Sequence, residues 1–279
     1  MRALAKLLFL ALIGLTLTVA AADRPPAFAS PSIASGPFRQ FTDLMRRDGL
    51  DVVLVIDDSG GEPLFLRELH PKIVQLTDLL HGLVPNARLG IVAFGDCNKE
   101  YIQPLTASSR ELNDFLNGPD EHVCGCGCEA SAGLDACETA INKMNWKPQA
   151  RKVVVFIGDS PPGADQFGPL TRLISKFRGE HGTFSTIDVA PREHERFERL
   201  FWLKVHHQEP PKISPLPEYY QSTVGAYKKL AESGAGTAII LTKDTDINQQ
   251  ILTLAFGIQW KAETSAFADK FSSGTTPGK

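Results

Sequence analysis

The stretch DVVLVIDDSGG, residues 51–61, joins an apolar run to a polar cluster. After its first residue it is an apolar run rich in valine, which is typical of a strand buried on both faces of a sheet. The run ends in two adjacent carboxylates, Asp57 and Asp58, followed by Ser59 and a glycine pair. Such a cluster either caps the helix that follows, through its free N–H groups, or supplies oxygen ligands to a cation.

Further apolar runs alternate with segments of helical periodicity along the rest of the chain. The predicted strands are 51–56, 89–94, 152–157, 183–189 and 237–241, with a short strand at 101–105 that pairs antiparallel beside the second. The predicted helices are 62–83, 108–116, 130–144, 170–177, 219–233 and 246–260. Strands that alternate with helices predict an α/β fold, a doubly wound and mostly parallel six-stranded sheet with helices on both faces and one short antiparallel edge strand.

The N-terminus predicts export. Arg2 and Lys6 precede the apolar run LLFLALIGLTLTVA, and small residues follow it. This pattern is typical of a secretory signal peptide over residues 1–22, cleaved after Ala22, and it places the mature chain in the periplasm or outside the cell. The alternative is an uncleaved membrane anchor, for which the run is short against the ~20 residues of a span. We therefore expect no stable membrane span after cleavage.

Composition divides the remaining chain into three parts. Residues 23–47 are rich in Pro, Ala and Ser and predict a linker, and residues 48–260 predict one domain. Within that domain, residues 191–218 form an insertion made of a charged amphipathic segment and a proline-rich loop. Residues 261–279, rich in Ser, Thr, Gly and Lys, predict a disordered tail.

Charge and motifs argue against a nucleic-acid-binding protein and against several classes of enzyme. The formal charge is −3, and removal of residues 1–22, with two bases and no acid, makes it −5. No basic stretch remains that would indicate a nucleic-acid partner. The sequence shows no Ser–His–Asp arrangement, no nucleophile elbow and no phosphate loop. These patterns predict a protein that is not an enzyme.

Carboxylates follow several of the predicted strands at the point where each strand ends. Asp57 and Asp58 follow the first, Asp96 the second and Asp159 the strand at 152–157. Because the carboxyl ends of parallel strands share one edge of a sheet, which is where α/β proteins bind ligands, we expect these residues to meet. Two carboxylates and the hydroxyl of Ser59 can hold Mg²⁺ or Mn²⁺.

Three segments in this order resemble the von Willebrand factor type A (VWA) domain. They are VVLVIDDSGG, then ARLGIVAFGD with a later PLT, then RKVVVFIGDSPP preceded by NWKP. The resemblance covers roughly residues 48–260 and is strongest to exported members whose fourth strand ends in Gly-Asp-x-Pro-Pro. It implies a Rossmann-like α/β fold and a role in binding a protein or extracellular ligand.

The resemblance also implies a metal-ion-dependent adhesion site that is incomplete in this chain. By position, Asp57, Ser59 and Asp159 match the ligands of that site, which would hold Mg²⁺ or Mn²⁺ and leave one coordination position for a partner. Gly61 stands where a second serine is expected, and Cys126 or a neighbour where a threonine or aspartate is expected. The residues expected at the rim are Asp58, Asp96 and Glu129.

Four cysteines are expected near the same edge. In an oxidising compartment they are first disulfide candidates: Cys97, Cys124, Cys126 and Cys128. The least strained pairing joins Cys97 to Cys126 and Cys124 to Cys128. The alternatives are a thiolate site for Zn²⁺ or Cu⁺, with His122, and a redox thiol. Cys137 falls on the apolar face of a helix and is expected in the core.

The remaining candidates have plain structural interpretations. We expect Trp146 to pack at a helix end, and His206 with His207 to form a solvated helix end. Core packing is the first interpretation of Phe201 and Trp202, and an exposed contact for a partner is the second.

Taken together, the sequence features predict an exported binding protein. Two other classes stay open: a metal-free, disulfide-stabilised module whose partners use the insertion, and a soft-metal or redox protein built on the cysteine loop.

Overall fold

A computed structural model of the 279-residue chain describes residues 36–58, 64–95, 100–118 and 132–274. Within these ranges the centre of the fold is a six-stranded sheet of order β3-β2-β1-β4-β5-β6. The strands are β1 (Leu50–Asp57), β2 (Arg88–Phe94), β3 (Glu100–Thr106), β4 (Arg151–Gly158), β5 (Gly182–Asp188) and β6 (Ala235–Ile240). Every neighbouring pair is parallel except β2 and β3, which confirms the predicted fold class.

The two central strands are buried on both faces, as their valine-rich sequences predict. Val52, Leu54 and Ile56 of β1 point into one half of the core, and Val53 and Val55 point into the other. This alternation follows from the two-residue repeat of a strand. The sheet therefore divides the core into two layers.

Helices cover both layers. The described helices are α1 (Gly36–Asp48), α2 (Leu64–Leu83), α3 (Ser109–Leu116), α4 (Ala132–Glu138), α5 (Ala164–Gly179), α6 (Ala190–His206), α7 (Glu218–Ser233), α8 (Ile247–Phe256) and α9 (Lys261–Gly274). Residues of α1, α2, α3, α8 and α9 share the first half of the core, and residues of α4, α5 and α7 share the second. Of the helix α6, only Ala190 is buried. None of the described helices has the length and apolar character to cross a membrane.

The structure corrects the two predicted unstructured segments. The linker predicted at 23–47 is wrong from Gly36 onward, because α1 buries Phe38, Thr42 and Met45. The tail predicted at 261–279 is wrong over α9, which buries Thr264 and Phe267. In both helices the buried residues recur at a spacing of three or four, and the polar residues between them dominate the composition. The predicted signal peptide lies outside the described residues and stays a prediction.

The helix predicted at 130–144 is described from Ala132 and changes its winding partway. After α4 the chain continues as a π-helical turn, Thr139–Lys143. Trp146 packs just beyond this turn, where its Nε1 donates to the carbonyl oxygens of Ala140 and Ile141 at 3.2 Å, and its ring lies 5.6 Å from that of Phe177. This confirms the packing predicted for Trp146.

Asp51 binds the sheet together near the amino ends of its strands. Its carboxylate is fully buried and accepts hydrogen bonds from Arg88 Nε at 2.8 Å and Nη2 at 2.7 Å. It also accepts the backbone N–H of Lys147 at 2.8 Å. The charge of this acid is thus compensated within the fold.

Candidate binding site at the carboxyl edge of the sheet

Three neighbouring strands bring an aspartate to the carboxyl edge. Asp57 ends β1, Asp159 follows β4, and Asp188 ends β5. The strand register places Gly158 directly beside Asp188, and Ile56 beside Ile157, so the chain positions from which these side chains leave are adjacent. Neighbouring strands lie about 4.8 Å apart, which brings the acids into one region. The sequence prediction that Asp57 and Asp159 meet at one edge is consistent with this arrangement.

The edge is closely packed around Gly158. A Cβ atom at this position would lie 2.9 Å from Asp57 Cβ and 2.6 Å from the hydroxyl oxygen of Tyr227, closer than side chains tolerate. The Tyr227 hydroxyl, which comes from α7, donates to the Ser160 carbonyl oxygen at 3.0 Å. The absence of a side chain at Gly158 therefore lets α7 reach the strand ends.

A second contact from α7 fixes the loop after β4. Thr223 Oγ1 donates to the Asp159 carbonyl oxygen at 3.2 Å. The Asp159 carboxylate accepts the Ser160 hydroxyl at 2.8 Å. Burial nevertheless raises the pKa of Asp159, because desolvation of the charged form outweighs that hydrogen bond.

Asp188 is the most deeply buried of the three acids at the edge. Its side chain is buried, and its Oδ1 accepts the Ala190 backbone N–H at 2.9 Å. Its Oδ2 is buried and has no hydrogen-bond partner among the described residues. Burial raises the pKa of Asp188 to about 6, and the nearby charge of Asp159 adds to the rise. A buried carboxyl oxygen without a partner is costly when the group is ionised.

All three acids act electrostatically on one group, the Tyr227 hydroxyl. The pKa of Tyr227 lies well above its usual value, first because the phenol is buried and then because Asp57, Asp159 and Asp188 all act on it. Among the residues that the structure describes, no cationic side chain acts on the pKa of Asp159 or Asp188. The described part of the edge is thus a negatively charged and partly dehydrated surface that a proton or a cation would stabilise.

The described residues supply only part of a metal shell. Among residues 36–58, 64–95, 100–118 and 132–274, no group of three Asp, Glu, His or Cys side chains is placed to hold a metal ion. Of the predicted ligands, Asp57 and Asp159 are described, and Ser59 lies outside the described residues. Two carboxylate ligands fit the preference of Mg²⁺ for oxygen, and the other ligands would come from residue 59 or from water.

The other predicted residues have mixed outcomes. Asp58 is half-buried at the edge, and its backbone N–H donates to the Phe94 carbonyl oxygen at 2.8 Å. The remaining rim and cysteine candidates lie outside the described residues: Asp96, Glu129, Cys97, Cys124, Cys126 and Cys128. Cys137 is a buried free thiol whose pKa burial raises, which confirms its place in the core.

The sequence prediction missed two members of this site. Asp188 lies near the end of the strand predicted at 183–189, in TFSTIDVA, but the residues before it alternate apolar with polar, so the signal was weaker than the one before Asp57. Tyr227 lies on the packed face of an ordinary amphipathic helix, where an aromatic residue indicates a core position. Its hydroxyl joins the site only because α7 packs along β5 and β6 and brings it to the loop after β4.

The amphipathic segment of the insertion forms α6, and core packing does not hold for both of its predicted aromatic residues. Phe201 is exposed, so core packing is wrong for this residue, and Trp202 is half-buried with its ring 4.2 Å from that of His206. His206 and His207 are exposed at the end of α6, as predicted.

Comparison with known proteins supports the fold. No family model matches the chain, and no curated protein matches it. BatB from Bacteroides thetaiotaomicron has 15% sequence identity over 77% of this chain and 100% of its own, with a TM-score of 0.50. An aerotolerance-related membrane protein from Bacteroides fragilis has 15% identity over 74% of this chain and 98% of its own, with a TM-score of 0.49. The VWA domain of SpRpn10 has 12% identity over 73% of this chain and 94% of its own, with a TM-score of 0.46.

The BatB match bears on the fold alone. The sheet order, with its single antiparallel pair at β2 and β3, is the arrangement that the resemblance in sequence implies. BatB matches over its whole length with the same overall architecture. The chain has a VWA-like α/β fold.

Proposed function

We propose that this chain is a binding protein, not an enzyme, that engages a protein partner through the carboxyl edge of its sheet. One observation carries the proposal: three strands deliver Asp57, Asp159 and Asp188 around the Tyr227 hydroxyl, and burial raises the pKa of two of these acids. A concentration of dehydrated negative charge costs stability, so its presence at one edge is best explained by a bound positive group.

In this proposal the positive group is a divalent cation, Mg²⁺ or Mn²⁺. Asp57 and Asp159 would hold it together with Ser59, and it would supply an open coordination position for a carboxylate of the partner. Asp188 would act from beside the cation through its charge. Because Gly61 replaces a hydroxyl ligand, we expect weaker binding than at a complete oxygen shell.

Calorimetric titration of the mature chain, from Asp23 onward, tests the cation. Wild type should bind Mg²⁺ and Mn²⁺, and Asp57→Ala should abolish the heat. Asp43→Ala is a matched control, because Asp43 is an exposed acid on α1 that pairs with Arg46 at 3.1 Å, away from the strand ends. No heat with wild type, or equal heat with wild type and Asp57→Ala, would contradict the cation.

Partner capture tests the binding edge independently of the metal. A protein retained by wild type from the native compartment should be lost with Asp159→Ala and retained with Asp43→Ala. Addition of a chelator then separates the two parts of the proposal. Retention in chelator with loss in Asp159→Ala would support the edge and reject the cation, whereas retention by all variants would reject the edge.

We further propose that the mature protein acts in the periplasm or outside the cell. The predicted signal peptide over residues 1–22 supports this location. Amino-terminal sequencing of the protein from its native source checks it, with Asp23 expected as the first residue.

A further inference from the structure

The chain leaves the sheet at the candidate site as helix α6 and comes back to the same edge through the segment that follows the helix. The helix begins directly after Asp188, at the carboxyl edge. The segment 207–217 then leads to α7, which must start at the same edge because it runs to the amino end of the parallel strand β6. The helix and its return segment are therefore an excursion from that edge, and Ala190 is the one buried residue of α6.

Polar contacts hold α6 to the segments beside it. The backbone N–H of Ser214, in the return segment, donates to Glu198 Oε2 at 2.6 Å, and its carbonyl oxygen lies 3.1 Å from His194 Nε2. Arg199 pairs with Glu195 at 2.9 Å and with Glu209 at 2.6 Å. The charged side of this amphipathic helix thus faces the return segment.

The apolar side of α6 consequently faces solvent. Five large apolar side chains are each two-fifths exposed or more: Phe197 68%, Leu200 49%, Phe201 51%, Leu203 41% and Val205 51%. We call these five residues the α6 apolar face. The rings of Phe197 and Phe201 stack on each other with centroids 6.5 Å apart. A helix normally buries such a face against the core, so this reversed arrangement indicates a surface that something else covers.

The shape of the face favours a broad covering surface. At 100° per residue, the five side chains span an arc of about 200° around the helix axis. A helix that packs on a protein core uses a stripe of roughly 100°. The α6 apolar face spans twice that width, which fits a surrounding medium that can cover half of the helix.

The charges around the face favour an anionic medium. Lys204 lies inside the arc and Lys212 follows in the return segment, and both are exposed with no ion pair among the described residues. Glu193 lies on the same side of the helix, one turn before Phe197, and pairs with Arg196 at 3.9 Å. Exposed aromatic and aliphatic side chains with an exposed lysine among them, and a second lysine in the adjoining segment, fit a helix that lies in a membrane interface.

We propose that the α6 apolar face docks on the surface of an anionic lipid bilayer. Phe197, Leu200 and Phe201 would enter the boundary between headgroups and acyl chains, and Lys204 and Lys212 would contact the headgroup phosphates. The carboxyl edge, where α6 begins, would then be held next to the membrane. This inference concerns a different surface from the proposed partner site and does not depend on it.

Vesicle flotation tests the proposal on the mature chain from Asp23 onward. Wild type should float with vesicles of phosphatidylglycerol and phosphatidylcholine, and bind less to phosphatidylcholine alone. The double variant Phe197→Ser/Phe201→Ser should lose at least about tenfold in partition, because two aromatic side chains no longer leave water. Lys204→Glu/Lys212→Glu should bind the anionic vesicles more weakly, and added salt should weaken wild type.

A matched variant separates this face from general surface hydrophobicity. Leu44 and Ile258 are also exposed, at 50% and 48%, but lie on other elements. Leu44→Ser/Ile258→Ser should float like wild type, and all variants should keep the unfolding midpoint of wild type. Failure of wild type to float, or equal flotation of Phe197→Ser/Phe201→Ser, would overturn the proposal. Self-association of wild type that Phe197→Ser/Phe201→Ser abolishes, without flotation, would instead make the face an interface between two copies.

Discussion

Two fully buried aspartates of the sheet differ in how their charge is compensated. Asp51 accepts two hydrogen bonds from Arg88 and one from the Lys147 backbone. Asp188 accepts one, from Ala190, and leaves Oδ2 without a partner among the described residues. An aspartate therefore stabilises the fold at the amino edge of the sheet, where its charge is paired, and destabilises it when ionised at the carboxyl edge, where its charge is not fully compensated.

The raised pKa of Asp188 predicts a pH-dependent stability. Burial raises the pKa to about 6 in the folded protein, against 3.8 for the ordinary side chain. Between these values the unfolded chain releases the proton and the folded chain retains it, so the contribution of Asp188 to stability falls as pH rises from about 4 to about 6. Asp188→Asn has no such titration.

Urea denaturation of wild type and Asp188→Asn at several pH values tests this linkage. From pH 4 to pH 7, the free energy of unfolding of the variant should gain about 2 kcal/mol relative to wild type. Asn can still accept the Ala190 N–H, so the two proteins should share one fold. Parallel stability curves would show that Asp188 ionises as readily in the folded chain as in the unfolded one.

At the level of elements, three helices depart from what composition indicates. Helices α1 and α9 have polar compositions and yet pack on the core through a few spaced apolar residues. Helix α6 has the stronger apolar segment and yet turns it outward. The number of large apolar side chains would therefore rank α6 as the most buried of the three helices, which it is not.

Paired substitutions of phenylalanine test that order. Phe267 of α9 is 5% exposed and packs in the core, whereas Phe197 of α6 is 68% exposed. Phe267→Ala should lower the free energy of unfolding by about 3 to 5 kcal/mol, because it leaves a cavity. Phe197→Ala should change it by no more than about 0.5 kcal/mol. Equal effects in chemical denaturation would contradict the packing of α9.

At the scale of the whole molecule, the strand ends and the cysteine loop are expected to form one surface. The loop lies outside the described residues, so the disulfides stay a prediction. We expect two disulfides among Cys97, Cys124, Cys126 and Cys128, with Cys137 free. Closing the span from Cys97 to Cys126 should stabilise the fold by about 3 to 4 kcal/mol on the chain-entropy model.

Mass spectrometry of alkylated protein, before and after reduction, checks the cysteines. Without reduction the native protein should take no label, since Cys137 is buried and burial raises its pKa, so that little reactive thiolate forms. Unfolding without reduction should expose one label, on Cys137. Four additional labels without reduction, together with bound Zn²⁺ or Cu⁺ in metal analysis, would favour the thiolate site instead.

Local sequence patterns were enough to predict the sheet and two of the acids at its edge. Apolar runs that alternate with helical segments specify parallel strands, and a carboxylate that follows such a run is placed at the carboxyl edge whatever the helices do. Asp188 follows a more polar strand, so its signal was weaker. These features depend on local periodicity, which one chain segment carries alone.

Which faces of the helices are covered follows from long-range packing. Tyr227 is a core residue whose hydroxyl also reaches the site, because α7 packs along β5 and β6 and brings it to the loop after β4. Whether the apolar side of α6 turns inward depends on polar partners outside the helix, such as Ser214 and Glu209 in the return segment. Periodicity shows that a helix has two faces, but burial is settled by the free energy of all the contacts that compete for them.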